Sequence, residues 1–444
     1  MPIQDNSFLF PKNLSPINWN KETTFDNGNV KDKVALVADN GIFIELAIRL
    51  AKDFKKVYYY TDWKEEFPVL EQVAIGFGVQ NIINVKDIFE PDDVDIYIFP
   101  NTGNPYIQKK LINDGKIVWG TRMAEDLELN RFYGAKQLQK AGLPVPNIKN
   151  IQGIDNLITY LTPLQDKWIK VSYYRGQGET WHFTNIKECA GYLENVKCKL
   201  GPFGEVFEWL VFDPIEAVTE TGADGIVIDG QPANYIQYGY EVKDLCYCAE
   251  WIEYAKVPEL IKVVHDKINP ILGQYGYRNF FSTEIRVTES KIPYMSDFTT
   301  RMGAPSFELI IENVENISDV IWNGAQGKLI DLKPKYKYAC MANMLSEFGC
   351  DNNLAIFFPS TIRDMVKLRN LAVINGTYYY IAQPYAYPEI GSVLGFSNTS
   401  MEDAIAQCKA NAKQVSAYQL EIRVDALDEC LNEIEKGKSI GIDF

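Results

Sequence analysis

Histidine is nearly absent from this chain of 444 residues, which contains two. A His-based metal site or a Ser-His catalytic triad is therefore nearly excluded. Long apolar runs are also missing, since none approaches the roughly 20 residues of a membrane span. The first residues, MPIQDNSFLFPKN, lack the basic segment and apolar core of a signal peptide. We therefore expect a cytoplasmic protein with reduced thiols.

An excess of basic residues is missing as well. The net charge of −15 argues against general binding to a nucleic-acid backbone. The 26 Tyr and 23 Phe are not interleaved with basic residues, which favours core and interface over base stacking. The closest cysteines, Cys246 and Cys248, have no second pair or nearby His, so they form a poor zinc motif. A nucleotide ligand remains open, because a few local cations suffice for it.

An ordinary globular composition, with 46% hydrophobic and 23% charged residues, predicts at this length two to four domains or one large multi-lobed unit. Residues 1–30 are polar and predict a loose arm. Beyond them, Val34–Ala38, Val57–Tyr60 and Asp95–Phe99 are buried-strand patterns, and Ile42–Lys52 has helical periodicity. Strand, helix and strand with short turns indicate a parallel α/β sheet. The first turn has one glycine, so a supporting lobe is favoured over dinucleotide binding.

A helix is predicted from Glu125, with acids in its first turn and Lys136 and Lys140 later. The segment Gly142–Pro146, GLPVP, ends it and is a plausible linker between lobes.

A strand over Lys167–Ser172 carries Lys170 within its apolar run, and Trp181–Phe183 is the next strand. The loop between them contains Gly176 and Gly178, which let backbone N–H groups approach a phosphate closely. This pattern predicts a phosphate-covering flap, with a plain hairpin and glycine turn as the alternative. A lysine pointing inward from a strand needs a partner.

The middle of the chain predicts three further features. A strand over Glu205–Val211 has apolar residues suited to gripping a flat base. Residues 217–240 have the alternation of antiparallel strands, and Val257–Gly273 is typical of a helix.

A hairpin is predicted from the strands Thr283–Val287 and Pro293–Phe298, with the turn at Glu289–Lys291. It brings Glu284 and Asp297 onto neighbouring strands, where their side chains converge. Two facing carboxylates repel each other unless a cation lies between them, and Mg²⁺ prefers oxygen ligands. Arg301 adds a planar cation suited to phosphate or carboxylate. The alternative is a solvated acidic face.

These motifs, in this order from about Gly120 to Ile311, resemble the ATP-grasp superfamily. Within it the chain is most similar to the phosphoribosylamine–glycine ligase family, a likeness that covers most of the chain past residue 30. The resemblance implies an α/β fold with a grasp core. It divides the chain into an arm (1–30), a parallel α/β domain (31–125), a two-lobed ATP-grasp domain (126–330, with its flap lobe at about 147–205) and a C-terminal α/β domain (331–444).

The resemblance also implies an ATP site. Lys170 would bind the α- and β-phosphates, and Arg131 stands where the family often has an earlier phosphate-binding lysine. Gly176 and Gly178 would form the flap. Residues of the following strand would hold the adenine and ribose: Glu208, Trp209, Leu210 and Val211 through backbone groups, and Glu216 through the ribose hydroxyls.

The metal ligands that the resemblance implies are Glu284, Asp297 and Thr299, holding Mg²⁺ or Mn²⁺. The family usually has Glu-x-Asn-x-Arg where this chain has Asp297-x-Thr299-x-Arg301, so the metal affinity is in question. Arg286 or Arg301 would hold the acceptor carboxylate and serve catalysis.

The implied activity is that of an ATP-dependent, ADP-forming carbon–nitrogen ligase acting on a small carboxylate and an amine through an acyl phosphate. The alternatives are a degenerate nucleotide-binding scaffold and a small-molecule kinase. For the C-terminal part, the sequence predicts a partly helical Tyr338–Phe348, a strand at Thr377–Ala382 and a helix at Met401–Val415. Gly391–Ala404 is similar to a helical family segment. No glycine-rich phosphoribosyl motif is present there, so phosphoribosylamine and glycine are not assumed as substrates.

Overall fold

The computed structural model describes residues 26, 28–61, 75–173, 178–304, 306–382 and 388–443. Most of the predicted arm and the flap residue Gly176 therefore lie outside the described residues.

The first lobe is a parallel sheet of five strands in the order β3-β2-β1-β4-β5. All six residues of β1 are buried, as the apolar run predicts, and the parallel α/β prediction is confirmed. The strands are β1 (Val34–Asp39), β2 (Lys56–Thr61), β3 (Ile82–Asn84), β4 (Ile96–Ile98) and β5 (Ile117–Trp119), and the helices are α1 (Ile44–Leu50) and α2 (Pro105–Asn113).

Two short helices replace the single helix predicted from Glu125: α3 (Asp126–Leu129) and α4 (Arg131–Lys140). The prediction of one continuous helix is wrong because Asn130 leaves the helical conformation, and its side chain accepts a hydrogen bond from the Tyr133 N–H. An asparagine in that role starts a new helix.

The flap lobe is an antiparallel sheet in the order β6-β9-β7-β8 with two helices on one face. The predicted strand at Glu205 begins only at Glu208, because Gly201–Glu205 forms a 3₁₀ turn opened by Gly201 and Pro202. The elements are β6 (Ile148–Gln152), β7 (Lys167–Lys170), β8 (Thr180–Phe183), β9 (Glu208–Phe212), α5 (Ile154–Leu161) and α6 (Ile186–Leu200).

The central sheet is antiparallel and runs in the order β15-β14-β10-β12-β13-β16-β21-β18, with β11 paired to β10. Its strands are β10 (Ala217–Ile228), β11 (Gln231–Pro232), β12 (Tyr235–Val242), β13 (Cys246–Glu253), β14 (Arg278–Thr288), β15 (Pro293–Thr299), β16 (Tyr338–Leu345), β18 (Val366–Leu368) and β21 (Glu389–Ser397). The helices between them are α7 (Glu259–Gln274), α8 (Phe307–Asn313) and α9 (Ile317–Ala325).

A small antiparallel sheet in the order β19-β20-β17-β22 completes the C-terminal part. Its strands are β17 (Leu354–Phe357), β19 (Leu371–Ile374), β20 (Thr377–Tyr380) and β22 (Ser416–Ala417), and its helices are α10 (Glu347–Asp351), α11 (Met401–Ala412) and α12 (Ala426–Ile440). The Ser400 side chain accepts from the Asp403 N–H and caps α11, as its sequence indicates.

Two helical predictions in this part are wrong. Tyr338–Leu345 is strand β16, which lies inside the central sheet between two partners, and only Glu347 onward is helical. A buried apolar run shows no periodicity that separates strand from helix. Gly391–Ser397 belongs to β21 for the same reason, so the similar segment enters a helix only at Met401.

The described residues form three hydrophobic cores. The largest joins the first lobe, the central sheet and the C-terminal part, and another packs on the opposite face of the first-lobe sheet around Leu36 and Tyr97. The flap lobe has its own core around Leu157, Ile169 and Phe183. The flap sheet meets the hairpin β14–β15 through charged side chains and not through a shared apolar core, and we call the region between them the cleft. No helix in the described part is long and apolar enough to span a membrane.

Candidate active site

The hairpin β14–β15 brings its two acids together as predicted. Glu284 and Asp297 are directly opposite in the strand register, and a bulge at Ser296 follows this pair. Thr283, Ile285 and Val287 are buried on the core face of β14, so Glu284 lies on the cleft face. The predicted pairing of Glu284 with Asp297 across the hairpin is confirmed.

Asp297 accepts hydrogen bonds from two cations that come from different parts of the chain. The Lys170 Nζ lies 2.6 Å from its Oδ2, and the Arg131 Nη1 donates to its Oδ1. Lys170 belongs to the flap strand β7 and Arg131 to the first residue of α4. One carboxylate therefore joins the flap lobe, α4 and the central sheet.

Arg131 is held from three sides. Its side chain is 3% exposed, its Nη2 lies 3.2 Å from a Glu179 oxygen, and its Nε donates to the Val171 carbonyl at 3.1 Å. A buried guanidinium needs such partners, because leaving its donors unpaired is costly. The geometry fixes a cation at the base of the flap loop.

The flap sheet presents an apolar wall to the cleft. Lys170 is opposite Leu210, Trp168 is opposite Phe212, and the Lys170 ammonium lies 5.5 Å from the Phe212 ring centre. Directly opposite residues share a face, so Leu210 and Phe212 line the cleft.

The other predicted nucleotide residues surround this wall. Trp209 and Val211 belong to the flap core, so only their backbone can face a base. Glu208 and Glu216 are exposed at either end of the strand β9 region. Gly178 has φ +86°, a backbone conformation that favours glycine at the base of the flap loop.

Arg301 lies behind the carboxylate pair. Its Nε donates to Glu128 at 3.0 Å, and the Thr300 N–H donates to the same carboxylate at 2.7 Å. The Glu128 side chain is 1% exposed, so it anchors the loop that follows β15. The strand register places Thr299 opposite Ser282, on the face of Glu284 and Asp297.

Further charged side chains extend the site across β10 and β12. Arg286 donates to Glu220 at 2.9 Å, and its guanidinium lies 5.7 Å from the Trp168 ring centre of the flap lobe. The Lys243 ammonium lies 3.9 Å from Glu284 and 4.0 Å from Glu241. Arg286 therefore faces the cleft, beside a second group of acids.

Two of these acids have raised pKa values. Burial raises the pKa of Glu241 to about 7, with Glu284 adding to the effect and Lys243 opposing it. Burial, followed by the charge of Glu284, also raises the pKa of Glu220. A carboxylate that titrates near neutral pH is suited to accept a proton from a reacting group.

Sequence reasoning missed five side chains of this site: Glu128, Glu179, Glu220, Glu241 and Lys243. The spacing of Glu241 and Lys243 by two residues at the end of a strand was a usable signal for a shared face. No sequence pattern records the register of β10 against β14, so the meeting of Glu220 with Arg286 had no signal.

The oxygen ligands fit a nucleotide-bound Mg²⁺. Within the described ranges, no group of three or more His, Cys, Asp or Glu is arranged to hold a metal ion by itself. Mg²⁺ usually takes one or two carboxylates and completes its shell with phosphate oxygens and water. Glu284 and Asp297 match that requirement, and Thr299 on the same face adds a hydroxyl oxygen.

No protein-family model and no curated protein matches this sequence. Solved structures do match its fold. Phosphoribosylamine–glycine ligase from Thermotoga maritima aligns with a TM-score of 0.64 at 15% identity, covering 88% of this chain and 99% of its own. The biotin carboxylase domain of the Hydrogenobacter thermophilus 2-oxoglutarate carboxylase, in complex with MgADP, ADP and bicarbonate, gives 0.63 at 13% identity, covering 93% and 99%. An L-amino acid ligase from Bacillus licheniformis gives 0.55 at 15% identity, covering 87% and 98%.

The chain therefore has the ATP-grasp fold, as its motifs predict. Among the structures that share this fold, phosphoribosylamine–glycine ligase is one to which it is similar over nearly the whole length of both chains.

Proposed function

We propose that this protein is an ATP-dependent ligase that joins a small carboxylate to an amine and releases ADP and phosphate. One observation carries the proposal. Lys170 and Arg131 converge on Asp297, which is register-paired with Glu284 below the apolar flap wall. Two cations and two carboxylates around one cleft are suited to a polyphosphate with its divalent ion.

Phosphoryl transfer requires mainly positioning and neutralisation of charge. When ATP binds, Lys170 and Arg131 would leave Asp297 and bind phosphate oxygens instead. The Asp297 carboxylate would then be available to bind Mg²⁺. The bound ion would neutralise the charge that develops between the phosphates. Leu210 and Phe212 would pack against the base, and the flap loop would exclude water.

The chemistry has two steps. An oxygen of the substrate carboxylate attacks the γ-phosphorus, the bond to the bridging oxygen of ADP breaks, and an acyl phosphate forms. The amine nitrogen then attacks the acyl carbon, and phosphate leaves with its electron pair. The amine loses a proton in this step, and Glu241, whose pKa is about 7, would accept it. Glu241 is near the reacting groups because Lys243 lies between it and Glu284.

A degenerate nucleotide-binding scaffold is the second candidate, and one observation favours it. Both Asp297 oxygens are already bonded to cations, so a site that never exchanges them would hold no metal. The kinase alternative differs in giving a stable phosphorylated product with no need for an amine. The domain boundaries and the cytoplasmic location remain predictions.

The test measures ADP release from Mg-ATP with a panel of amino acids and small carboxylates, each with and without candidate amines. The unmodified protein is run beside Lys170→Ala and Glu284→Gln. Lys167→Ala is the matched control, because this lysine lies on the same strand and pairs with the outer residue Asp213 at 3.0 Å.

A carboxylate-dependent release that rises with an amine, persists in Lys167→Ala and disappears in the other two variants supports the ligase. Release that needs no amine and leaves a stable phosphorylated product supports the kinase. If ATP binds but no member of the panel stimulates ADP release, the result supports the nucleotide-binding scaffold. Absence of ATP binding rejects the roles given to Lys170 and the flap.

A further inference from the structure

A second charged cluster lies on the same sheet, next to the cleft. Helix α8 packs on β16 and β21, and its acids meet cations from β18 and the residues around it. We call this the Glu308 cluster. Its carboxylates are Glu45, Glu308, Glu312 and Glu389, and its cations are Lys335, Arg363, Lys367 and Arg369.

Three of the four carboxylates have a cation in hydrogen-bond contact. All four are largely buried, so each charge needs such a partner. The pairs are Glu45 with Arg363 at 3.0 Å, Glu312 with Lys367 at 3.0 Å, and Glu389 with Arg369.

Glu308 is the acid that remains. It has no solvent exposure, and neither of its carboxylate oxygens has a hydrogen-bond partner in the described part of the chain. Its nearest cation is the Arg369 Nη2 at 3.7 Å, and that guanidinium is already bonded to Glu389. A carboxylate removed from water without a hydrogen bond is a costly arrangement.

Unpaired acceptors on neighbouring strands join the cluster. Asn343 and Ser392 are directly opposite each other on β16 and β21, and Asn370 follows Arg369. The Asn343 Oδ1, Ser392 Oγ and Asn370 Oδ1 are buried without a partner among the described residues. Native proteins rarely leave such a group together, so it calls for a bound molecule. Two donors of Arg369, Nε and Nη2, are also buried without a partner, but the other unpartnered atoms of the cluster can all accept. A molecule that offers N–H donors would therefore satisfy most of them.

The cluster adjoins the reaction cleft. The Asn343 Nδ2 donates to the Asp244 carbonyl at 2.9 Å, and Asp244 directly follows Lys243, which lies 3.9 Å from Glu284. A small substrate held at one end by the cluster would therefore lie close to the carboxylates that face the phosphates.

We propose that Glu308, with Asn343 and Ser392, forms a subsite for the primary ammonium group of a small substrate. This inference rests on the proposed function, because it assigns part of the substrate of that reaction. A primary ammonium supplies three N–H donors for the buried acceptors and a charge that a carboxylate without a hydrogen bond attracts. The proposed subsite implies that one of the two molecules joined is an amino compound, such as an amino acid.

The titration of Glu308 agrees with this assignment. Burial raises its pKa to about 8, with Arg369 opposing the shift and Glu389 and Glu45 adding to it. A carboxyl group with this pKa is protonated near neutral pH, and a bound cation would replace that proton.

The test follows thermal unfolding of the full chain without ATP, with methylammonium chloride or glycine as the probe. Tetramethylammonium chloride at equal ionic strength is the control, because it carries the charge but no N–H donor. Samples are equilibrated for hours, since a fully buried site fills only through local opening. Glu308→Gln is compared with Glu402→Gln, an exposed acid in the first turn of α11.

We expect methylammonium to raise the unfolding temperature of the unmodified protein and of Glu402→Gln by roughly 1 °C above the control, the shift that about 1 kcal/mol produces in a chain of 444 residues. Glu308→Gln should show no such shift. Ser392→Ala, which removes one acceptor from the site, should show a reduced one and keeps the test valid if Glu308→Gln does not fold. Equal shifts in all proteins, or none in the unmodified protein, overturn the subsite.

A separate ATP-binding measurement keeps the two proposals distinct. Binding of ATP without a methylammonium shift overturns the subsite and leaves the ligase intact. A methylammonium shift without ATP binding supports the subsite and rejects the ligase.

Discussion

The carboxylates of the cleft and those of the Glu308 cluster, both on the central sheet, differ in the cations that neutralise them. In the cleft, Asp297 has two cations in direct contact, one of them from the flap lobe. In the Glu308 cluster, Glu308 has no hydrogen bond of its own in the described chain, although it is more deeply buried.

This difference indicates what each region exchanges. A partly exposed carboxylate that holds two cations can release them when phosphates and a metal arrive, since water screens the change. A fully buried carboxylate has no solvent to rely on, so it must bind a proton or a cation of the right size. The cleft is therefore suited to a highly charged nucleotide, and the cluster to a single small cation.

Asp297→Asn should give the largest effect. It removes one carboxylate from the metal side and leaves Lys170 and Arg131 without their shared partner. We expect ADP release to fall by about 10²-fold or more, the size seen when one group that stabilises developing charge is lost. The measurement is steady-state ADP release with a stimulating carboxylate and amine.

Asp213→Asn is the control for Asp297→Asn, because it removes the partner of Lys167, an outer lysine on the same flap strand. Its rate should stay within about twofold, as expected for an exposed ion pair. Equal losses in the two variants would mean that general damage to the flap lobe, and not the cleft charges, sets the rate.

The second prediction compares two acids one turn apart on α8. Glu312→Gln leaves the buried Lys367 without its close partner and should cost about 3 kcal/mol of unfolding free energy. Glu308→Gln removes a charge that has no close partner, so it should be neutral at pH 5 and stabilising at pH 8. Denaturant unfolding of both variants measures the difference.

The sign of the pH effect follows from the raised pKa of Glu308. Its ordinary value of 4.5 becomes about 8 in the folded protein, so the folded state holds more protons between these values. This group therefore lowers the unfolding free energy as pH rises from 4.5 to 8, by at most about 1.4 kcal/mol per pH unit. Glu308→Gln should flatten that slope relative to the unmodified protein, and an unchanged slope contradicts the assignment.

Local patterns explain why the hairpin was predictable from the sequence. The alternation in β14, the turn after it and the spacing of Glu284 and Asp297 lie within one short segment, so the sequence alone determines their pairing. The same holds for Lys170 beside its glycine loop. The strand–helix–strand order of the first lobe was predictable for the same reason.

Contacts that depend on distant strands were not predictable. Glu128 meets Arg301 across 173 residues, and Lys367 meets Glu312 across 55, so no local pattern records either pair. The apolar run of β16 has no polar face, so its pattern does not separate a strand from a helix. The lack of a hydrogen bond to Glu308 in the described chain becomes visible only once its neighbours in the fold are known.

The third prediction tests the buried anchor behind the cleft. Glu128→Gln keeps the size of the side chain but weakens its hold on Arg301 and the Thr300 N–H. We expect kcat to fall by about tenfold, equal to 1.4 kcal/mol, with little change in ATP affinity. Arg301 would then be a group that acts in the reaction, positioned by Glu128. A loss of ATP affinity with unchanged kcat would instead place Arg301 in nucleotide binding.

The smallest effect concerns the flap, where two glycines differ in backbone conformation. Gly178 has φ +86°, so Gly178→Ala should destabilise the flap lobe by about 1 kcal/mol and slow ADP release. Gly191 lies inside α6 with open space around it, so Gly191→Ala should stabilise the same lobe by up to about 1 kcal/mol without changing the rate. Thermal unfolding and ADP release, measured on both variants, separate lobe stability from flap geometry.

If both variants change the rate in proportion to stability, the flap loop has no role beyond folding. A rate loss confined to Gly178→Ala ties the left-handed turn at the base of the loop to closure over the phosphates.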